Sequence, residues 1–421
     1  MLDIKTIREE TVKVRAGIKA KNEVDNLNEI LELDETRRKI IQQVEKLKSE
    51  RNSASAQVAK LKQSGESADD IISKMNNVKI SIQEFDGELR VIDKKLEELL
   101  LTVPNIPHES VPIGNSPEEN KIVFESKINL ESKFTLKPHW EIAEKLNLID
   151  FERGSKVTGA GFPFYLSKLA MLQRALINFF LDSANLKGYQ EILPPIVVNE
   201  ASARGTGQIP DKEDLMYTVE RDELYLIPTA EVPVSNFYRD EIIDEKKLPI
   251  KFSAYTPCFR REAGSYGKDV RGLNRLHQFD KVELVKFTLP EKSYEELETL
   301  RSDAEDLLNK LRLKYRVLLM CTGDMGFTQT KKYDLEVWSQ GQQKWLEVSS
   351  CSNFENFQSR RMNIRFRNSI TQKMEFVHTL NGSALALPRV MAAVIEQYQT
   401  EDGKIKIPDV IQKYLPFNII G

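Results

Sequence analysis

The chain is poor in the residues that build metal and disulfide sites. Its three cysteines, Cys258, Cys321 and Cys351, stand far apart in 421 residues. An odd number with no CxxC spacing gives no disulfide framework. Four histidines, His108, His139, His277 and His378, are too few for a His/Cys zinc cluster, so no zinc is expected. No apolar run approaches the ~20 residues that span a bilayer, and the opening MLDIKTIREE does not read as a signal peptide. No membrane contact is therefore expected, and a cytoplasmic protein is. Internal repeats and low-complexity tracts are also missing. The formal net charge of −3 carries no global nucleic-acid signature, so any such contact must rest on local charge. Length alone suggests roughly two to three domains, with ample chain for a large core.

Heptad spacing dominates the first hundred residues. Ile30, Leu33, Arg37, Ile40, Val44, Leu47, Arg51, Ala54, Val58 and Leu61 follow one 3–4 pattern. Ile71, Met75, Val78, Ile82, Phe85, Leu89, Ile92, Leu96 and Leu99 follow a second. A 3.5-residue period predicts a left-handed coiled coil. Between the two lies KQSGESADD, with Gly65 as a stop and Ser67 to Asp70 as a capping box. The short connection predicts an antiparallel helical hairpin over about 28–100. Its charge is uneven: Arg37–Ile80 holds ten Lys/Arg against five Asp/Glu, a net of +5. Segments 1–36 and 81–101 together hold nine against fifteen, a net of −6. A basic tip on a projecting arm suits a phosphate backbone, while a protein–protein coiled coil with solvated lysines fits the segment equally well. From Val103 to Asn120, Pro104, Pro107, Pro112 and Pro117 occur without periodicity. This gives a domain boundary: an arm at 1–103, a linker at 104–120, and a second domain at 121–421.

The chemistry concentrates in YTPCFRREAGSYGKDVRGLNRLHQFDKVELVKF, Tyr255–Phe287. The pattern predicts a β-hairpin with strands near Phe252–Glu262 and Asn274–Phe287, joined by a loop carrying Gly264, Gly267 and Gly272. Alternation puts Arg260 and Glu262 on one face, and Arg275, Phe279 and Glu283 together on the partner strand. Arginine's planar fork suits phosphate oxygens. Phe279 offers a ring to a base, Glu262 an acceptor for an amino group, and Glu283 a partner for an ammonium. A solvated hairpin with surface ion pairs is the plainer alternative.

Further along, Thr229-Ala230-Glu231 sets a hydroxyl and a carboxylate two residues apart, a pattern that a helix N-cap would also explain. Tyr333–Gln340 and Gln343–Cys351 predict a second hairpin, where Glu347 shares a face with Ser349, and Val348 with Ser350. A carboxylate beside hydroxyls suits Mg²⁺, although an ordinary polar strand face remains open. Thr379–Ser383, including Asn381, precedes a helical pattern that begins near Leu387. Pro388 fits its first turn, and Arg389 sits there against the helix dipole. A helix near Ser167–Lys187 carries Leu169, Leu172, Leu176 and Phe179 on one stripe.

FRREAGSYGKDVRGLNRLHQFDKVE resembles the motif 2 hairpin of class II aminoacyl-tRNA synthetases, and of seryl-tRNA synthetases in particular. GYQEILPPIVVNE, with Pro195 as its signature proline, is similar to motif 1. "TAE", EVSSCSN, the Thr379–Arg389 stretch (motif 3), MLDIKTIREE and NIPHESVPIG match the same family in order. Where many members read GSG, this chain has Gly382-Ser383-Ala384. The resemblance implies an α+β fold: a mainly antiparallel sheet flanked by helices, preceded by a coiled-coil arm that reaches the long variable arm of tRNA(Ser). It implies serine–tRNA ligation in two steps, through seryl-adenylate, by a homodimer, and leaves charging of tRNA(Sec) open.

Carried over by position, the resemblance makes Arg260 the catalytic residue, on the α-phosphate of ATP. Arg275 and Arg389 take the outer phosphates, Phe279 stacks on adenine, and Glu262 reads its amino group. Glu347, Val348, Ser349 and Ser350 line the ATP site, with Glu347 and Ser350 on Mg²⁺. Thr229, Ala230, Glu231, Glu283, Asn381 and Ser383 form the L-serine pocket. Two rivals come from other classes. A non-catalytic RNA-binding relative would be expected to lack phosphate ligands that this chain has, and a ligase that charges a carrier protein would be expected to lack the arm.

Overall fold

The computed structural model describes residues 1–210, 214–262 and 271–421. Gly264 and Gly267 of the expected hairpin loop lie outside the described residues. The chain forms two compact units, Met1–Pro104 and Asn105–Gly421.

In the first unit, helices α1 (Leu27–Ser64) and α2 (Asp69–Leu101) pair along the heptad seam. At 1.5 Å per residue they reach about 57 Å and 50 Å. Ile30, Ile40, Val44, Ile82 and Leu96 are buried, and the remaining seam positions toward the tip are half-buried. This is what two helices burying only each other can achieve. Gly65 closes α1 in the left-handed region (φ 78°), its N–H and that of Glu66 returning to the last turn, a stop only glycine adopts cheaply. The expected capping box does not form. Ala68 holds the N-cap without a side-chain bond, and Ser67 bonds to Asp69 instead.

The second unit is built on an eight-stranded sheet. In chain order its strands are β1 (Lys121–Glu125), β2 (Gln190–Glu191), β3 (Ile250–Phe259), β4 (Gln278–Thr288), β5 (Tyr315–Leu319), β6 (Lys331–Ser339), β7 (Lys344–Asn353) and β8 (His378–Ala386). The spatial order is β1-β5-β6-β7-β8-β4-β3-β2. Every neighbouring pair is antiparallel except β2–β3, so the α+β expectation holds. One face packs on helices α3 (Ser167–Leu186), α5 (Ser293–Lys310) and α7 (Leu387–Gln397), while two short helices, α4 (Glu231–Ser235) and α6 (Phe357–Met362), belong to the site. The predicted stripe Leu169, Leu172, Leu176 and Phe179 is buried there beside Val282, Leu284, Leu300, Val348 and Val390. At its far end the opposite face is covered by a smaller core containing Val285, Phe287 and Ile364. The rest of that face carries the site.

The segment read as a linker packs onto this unit from Asn105 onward. Asn105 Nδ2 donates to the carbonyls of Thr328 and Phe354 at 2.9 and 2.8 Å, and Val111 joins Leu318, Met320 and Met325 in a small core. Its prolines suppress helix and strand but leave side chains free to anchor. Among the described residues, no helix is long and apolar enough to cross a membrane.

Candidate active site

Period-two alternation along β4 puts Phe279, Lys281 and Glu283 on the face opposite Val282 and Leu284, which enter the helix-covered core, and the half-buried Phe279 ring packs against the edge of that core. The strands are shorter than expected. Arg260 and Glu262 follow the end of β3, and Arg275 precedes β4. The Arg260 amide still donates to His277 O at 2.9 Å, extending the pairing, and Glu262 sits at φ 50°. These residues converge nonetheless. The Arg260 guanidinium lies 5.3 Å from the Phe279 ring centroid, and Arg275 Nη1 donates to Glu262 Oε2 at 3.1 Å.

The return of this loop is anchored from below. Leu273 N–H donates to His139 Nε2 at 2.8 Å, while His139 Nδ1 lies 2.8 Å from Glu396 Oε1, both side chains fully buried. Gly272, at φ 68°, touches the imidazole so closely that a Cβ would lie 2.3 Å from Nε2. His139 and Glu396 carry no local signal in the sequence, because their role exists only once residues 257 positions apart meet.

Beside this hairpin lies a buried polar pocket. Asn381 Nδ2 donates to both Glu231 Oε2 and Glu283 Oε1, each at 2.8 Å. Ser383 Oγ donates to Glu283 Oε2 at 3.2 Å. Gln358 on α6, absent from the sequence assignments, donates to Glu231 Oε1 at 2.6 Å and accepts from Thr379 Oγ1 at 2.7 Å. Thr229 Oγ1 accepts from the Glu231 N–H at 3.3 Å, at the start of α4. Thr229 is not the helix N-cap, a place that Ala230 takes without a side-chain bond. Burial first, and then the neighbouring Glu283 carboxylate, push Glu231 up to about 7. Ala230 turns its side chain into the smaller core, so a ligand could meet only its backbone.

On the other flank, simple alternation puts Glu347 and Ser350 on opposite faces. The structure puts them on the same one. Leu335 pairs with Ser349 but Glu336 pairs with Glu347, leaving Val348 as the extra residue of a β-bulge. Val348 and Ser349 both turn to the core, Ser349 Oγ donating to Ser383 O at 2.6 Å. Of the expected ATP-site residues, these two can offer a ligand only backbone. Asp334 pairs across from Ser350, and its buried Oδ1 finds no hydrogen-bond partner among the described residues. Burial pushes Asp334 up to about 7. Desolvation in the cleft works against the charge of Glu347, whose side chain is still 46% exposed, but Lys332, Arg389, Arg260 and Lys281 outweigh it and hold that carboxyl below its usual range. An unpartnered carboxylate oxygen beside Glu347 and Ser350 is a donor set that fits a hard divalent cation.

Arg389 occupies the first turn of α7. Its Nε donates to Asn274 O at 3.0 Å, and its Nη1 to Glu347 O at 2.9 Å. Ala384 stands at a second bulge: Lys281 pairs with Ala386 but Glu283 with Ser383, and Leu385 adopts φ 72°. Gly382 has no room for a Cβ, which would lie 2.9 Å from Cys351 Sγ.

The mainly antiparallel sheet with its helices on one face is the core of a class II aminoacyl-tRNA synthetase. A family model for the class II synthetase core domain (G, H, P, S and T) matches residues 217–398, and one for the seryl-tRNA synthetase N-terminal domain matches 1–107. The chain belongs to the seryl-tRNA synthetase family. It is 52% identical to a serine–tRNA ligase of Salinibacter ruber, over 100% of this chain and 99% of that one. Identity to the Bacillus cereus enzyme is 51%, over 99% and 98%. Seryl-tRNA synthetase from Pyrococcus horikoshii, solved in complex with ATP, superposes with a TM-score of 0.94 at 38% identity, covering 100% and 99% of the two chains. The cytoplasmic serine–tRNA ligase of Naegleria fowleri, in complex with AMP, gives 0.88 at 27%, covering 100% and 98%.

Proposed function

We propose that this chain activates L-serine with ATP to seryl-adenylate and passes the seryl group to tRNA(Ser), with tRNA(Sec) a second acceptor to be tested. The observation that carries this is the Glu231–Asn381–Glu283 pocket beside Arg260, in a chain alike over its full length to serine–tRNA ligases. Two carboxylates bridged by one amide suit an ammonium, and the small polar space suits a hydroxymethyl group. A substrate lacking the hydroxyl would leave buried polar groups unpaired, and threonine is rejected by shape.

In this account Arg260 holds the α-phosphate as the serine carboxylate attacks it. The arginine stabilises the charge that builds there, and pyrophosphate departs. Arg275 and Arg389 hold the outer phosphates, Phe279 stacks on adenine, and Glu262 reads its amino group. Their mutual contacts hold them in place before the nucleotide arrives. Mg²⁺ would be held by Glu347 and Ser350, with Asp334 on the same face, and would neutralise phosphate charge when bound. A terminal ribose hydroxyl of the tRNA then attacks the acyl carbon, the bond to the phosphate oxygen breaks and AMP departs, so no side-chain nucleophile is needed.

The basic distal half of the arm is the surface assigned to tRNA, and the cytoplasm the compartment. A homodimer is part of the reading, supported by the exposed Leu186, Leu193, Ile196 and Val197 around motif 1. Charging of tRNA(Ser) transcripts with labelled serine tests the whole reaction. Attachment of serine supports it, and failure with active, full-length protein overturns it.

A further inference from the structure

Lys281 appears in none of these assignments, yet it lies in the pocket wall. The alternation that aims Phe279 and Glu283 at the site includes it, and its side chain is only 7% exposed. Its Nζ donates to Thr229 Oγ1 at 2.8 Å and stands 2.6 Å from Glu283 Oε2.

These contacts decide what the pocket can offer. A hydroxyl has two lone pairs and one hydrogen. Thr229 Oγ1 spends both lone pairs, on Lys281 Nζ and on the Glu231 N–H. Only its hydrogen remains for a ligand. Thr229 can therefore donate to an oxygen of the amino acid but cannot accept from its ammonium. Glu283 meanwhile takes Asn381 on one oxygen, and Lys281 with Ser383 on the other. Without the lysine, two buried carboxylates would share one amide with no neighbouring ammonium to compensate either.

We infer that Lys281 is a positioning residue that sets the polarity of the amino-acid pocket. It fixes Thr229 as a donor toward a substrate oxygen, and it holds the Glu283 carboxylate in place, aimed at the substrate ammonium. This rests on the pocket being the serine site. Lys281 acts through Thr229 and Glu283, the two groups its Nζ touches.

The test is ATP–pyrophosphate exchange by the full-length protein, with serine and ATP titrated separately, for wild type, Lys281→Met, Thr229→Val and the double variant. Lys281→Met is expected to raise the serine KM by about tenfold or more while the ATP KM moves less than about twofold. Discrimination of serine against alanine should fall with it. The double variant should lose far less than the product of the single losses, because both remove the same oriented hydroxyl. Lys281→Gln, which keeps a donor for Thr229 without the charge, reads the same proposal if the methionine variant fails to fold. It should retain more discrimination than serine affinity. An unchanged serine KM, parallel rises in both KM values, or fully multiplicative losses would overturn the inference. Wild-type protein that activates no amino acid would instead remove the reading of the pocket, and this inference with it.

Discussion

Arg389 and Glu347 join two elements of the site. The Arg389 Nη1 donates to the Glu347 carbonyl at 2.9 Å and lies 3.9 Å from its carboxylate. A residue assigned to the outer phosphates thus braces the strand assigned to Mg²⁺. Arg389→Ala should cut kcat/KM for ATP in pyrophosphate exchange by about 100-fold or more, with the serine KM little changed. Because the side chain is partly exposed, the melting temperature should stay close to wild type. A loss confined to serine binding would contradict the assignment.

Arg260 is assigned to the reacting phosphate itself. Arg260→Ala should abolish adenylate formation while tRNA binding, measured by filter retention or fluorescence, stays near wild type. Equal losses of both would mean that the arm and the catalytic unit do not divide the work in this way.

Glu231 supplies a pH signature. Burial and Glu283 raise it from the ordinary glutamate value of 4.5 to about 7. Between those values the folded protein holds a proton that the unfolded chain has released, so stability falls as pH rises through that window. At roughly 1.4 kcal/mol per pH unit, the loss by pH 8 is about 3 kcal/mol. Glu231→Gln removes it. Compared with wild type, the variant should gain melting temperature as pH is raised from about 5 to about 7 and then level off by about 8. A difference that does not change with pH would show that Glu231 is already ionised at the acid end of that range.

On the arm, Lys46, Lys48 and Lys62 are exposed in the basic half. Changing all three to glutamine should weaken tRNA binding and reduce its salt dependence, by about one unit of log–log slope for each phosphate no longer neutralised. Exchange without tRNA should be unaffected. An unaltered salt slope would move the RNA surface elsewhere.

The site shows where local pattern suffices and where it does not. Phe279 and Glu283 are legible because strand parity is local, and the same parity places Lys281 on their face, although a lysine on a strand carries no signal of its own. The seam of the arm is legible for the same reason, since its period survives without any tertiary partner. Glu347 and Ser350 could be placed on one face only by a bulge at Val348, which depends on how β6 and β7 pair. Gln358, His139 and Glu396 work through contacts with residues distant in sequence, and no spacing announces them. Ser67 illustrates the reverse failure, a capping pattern present in sequence and displaced by a competing turn.

Amino-acid-dependent ATP–pyrophosphate exchange, run without tRNA across all twenty amino acids, addresses the central claim most directly. Exchange with serine, and with no other amino acid at comparable kcat/KM, is the predicted result. Exchange with a different amino acid would keep the nucleotide site and overturn the pocket, while exchange with none would contradict the enzymatic reading outright.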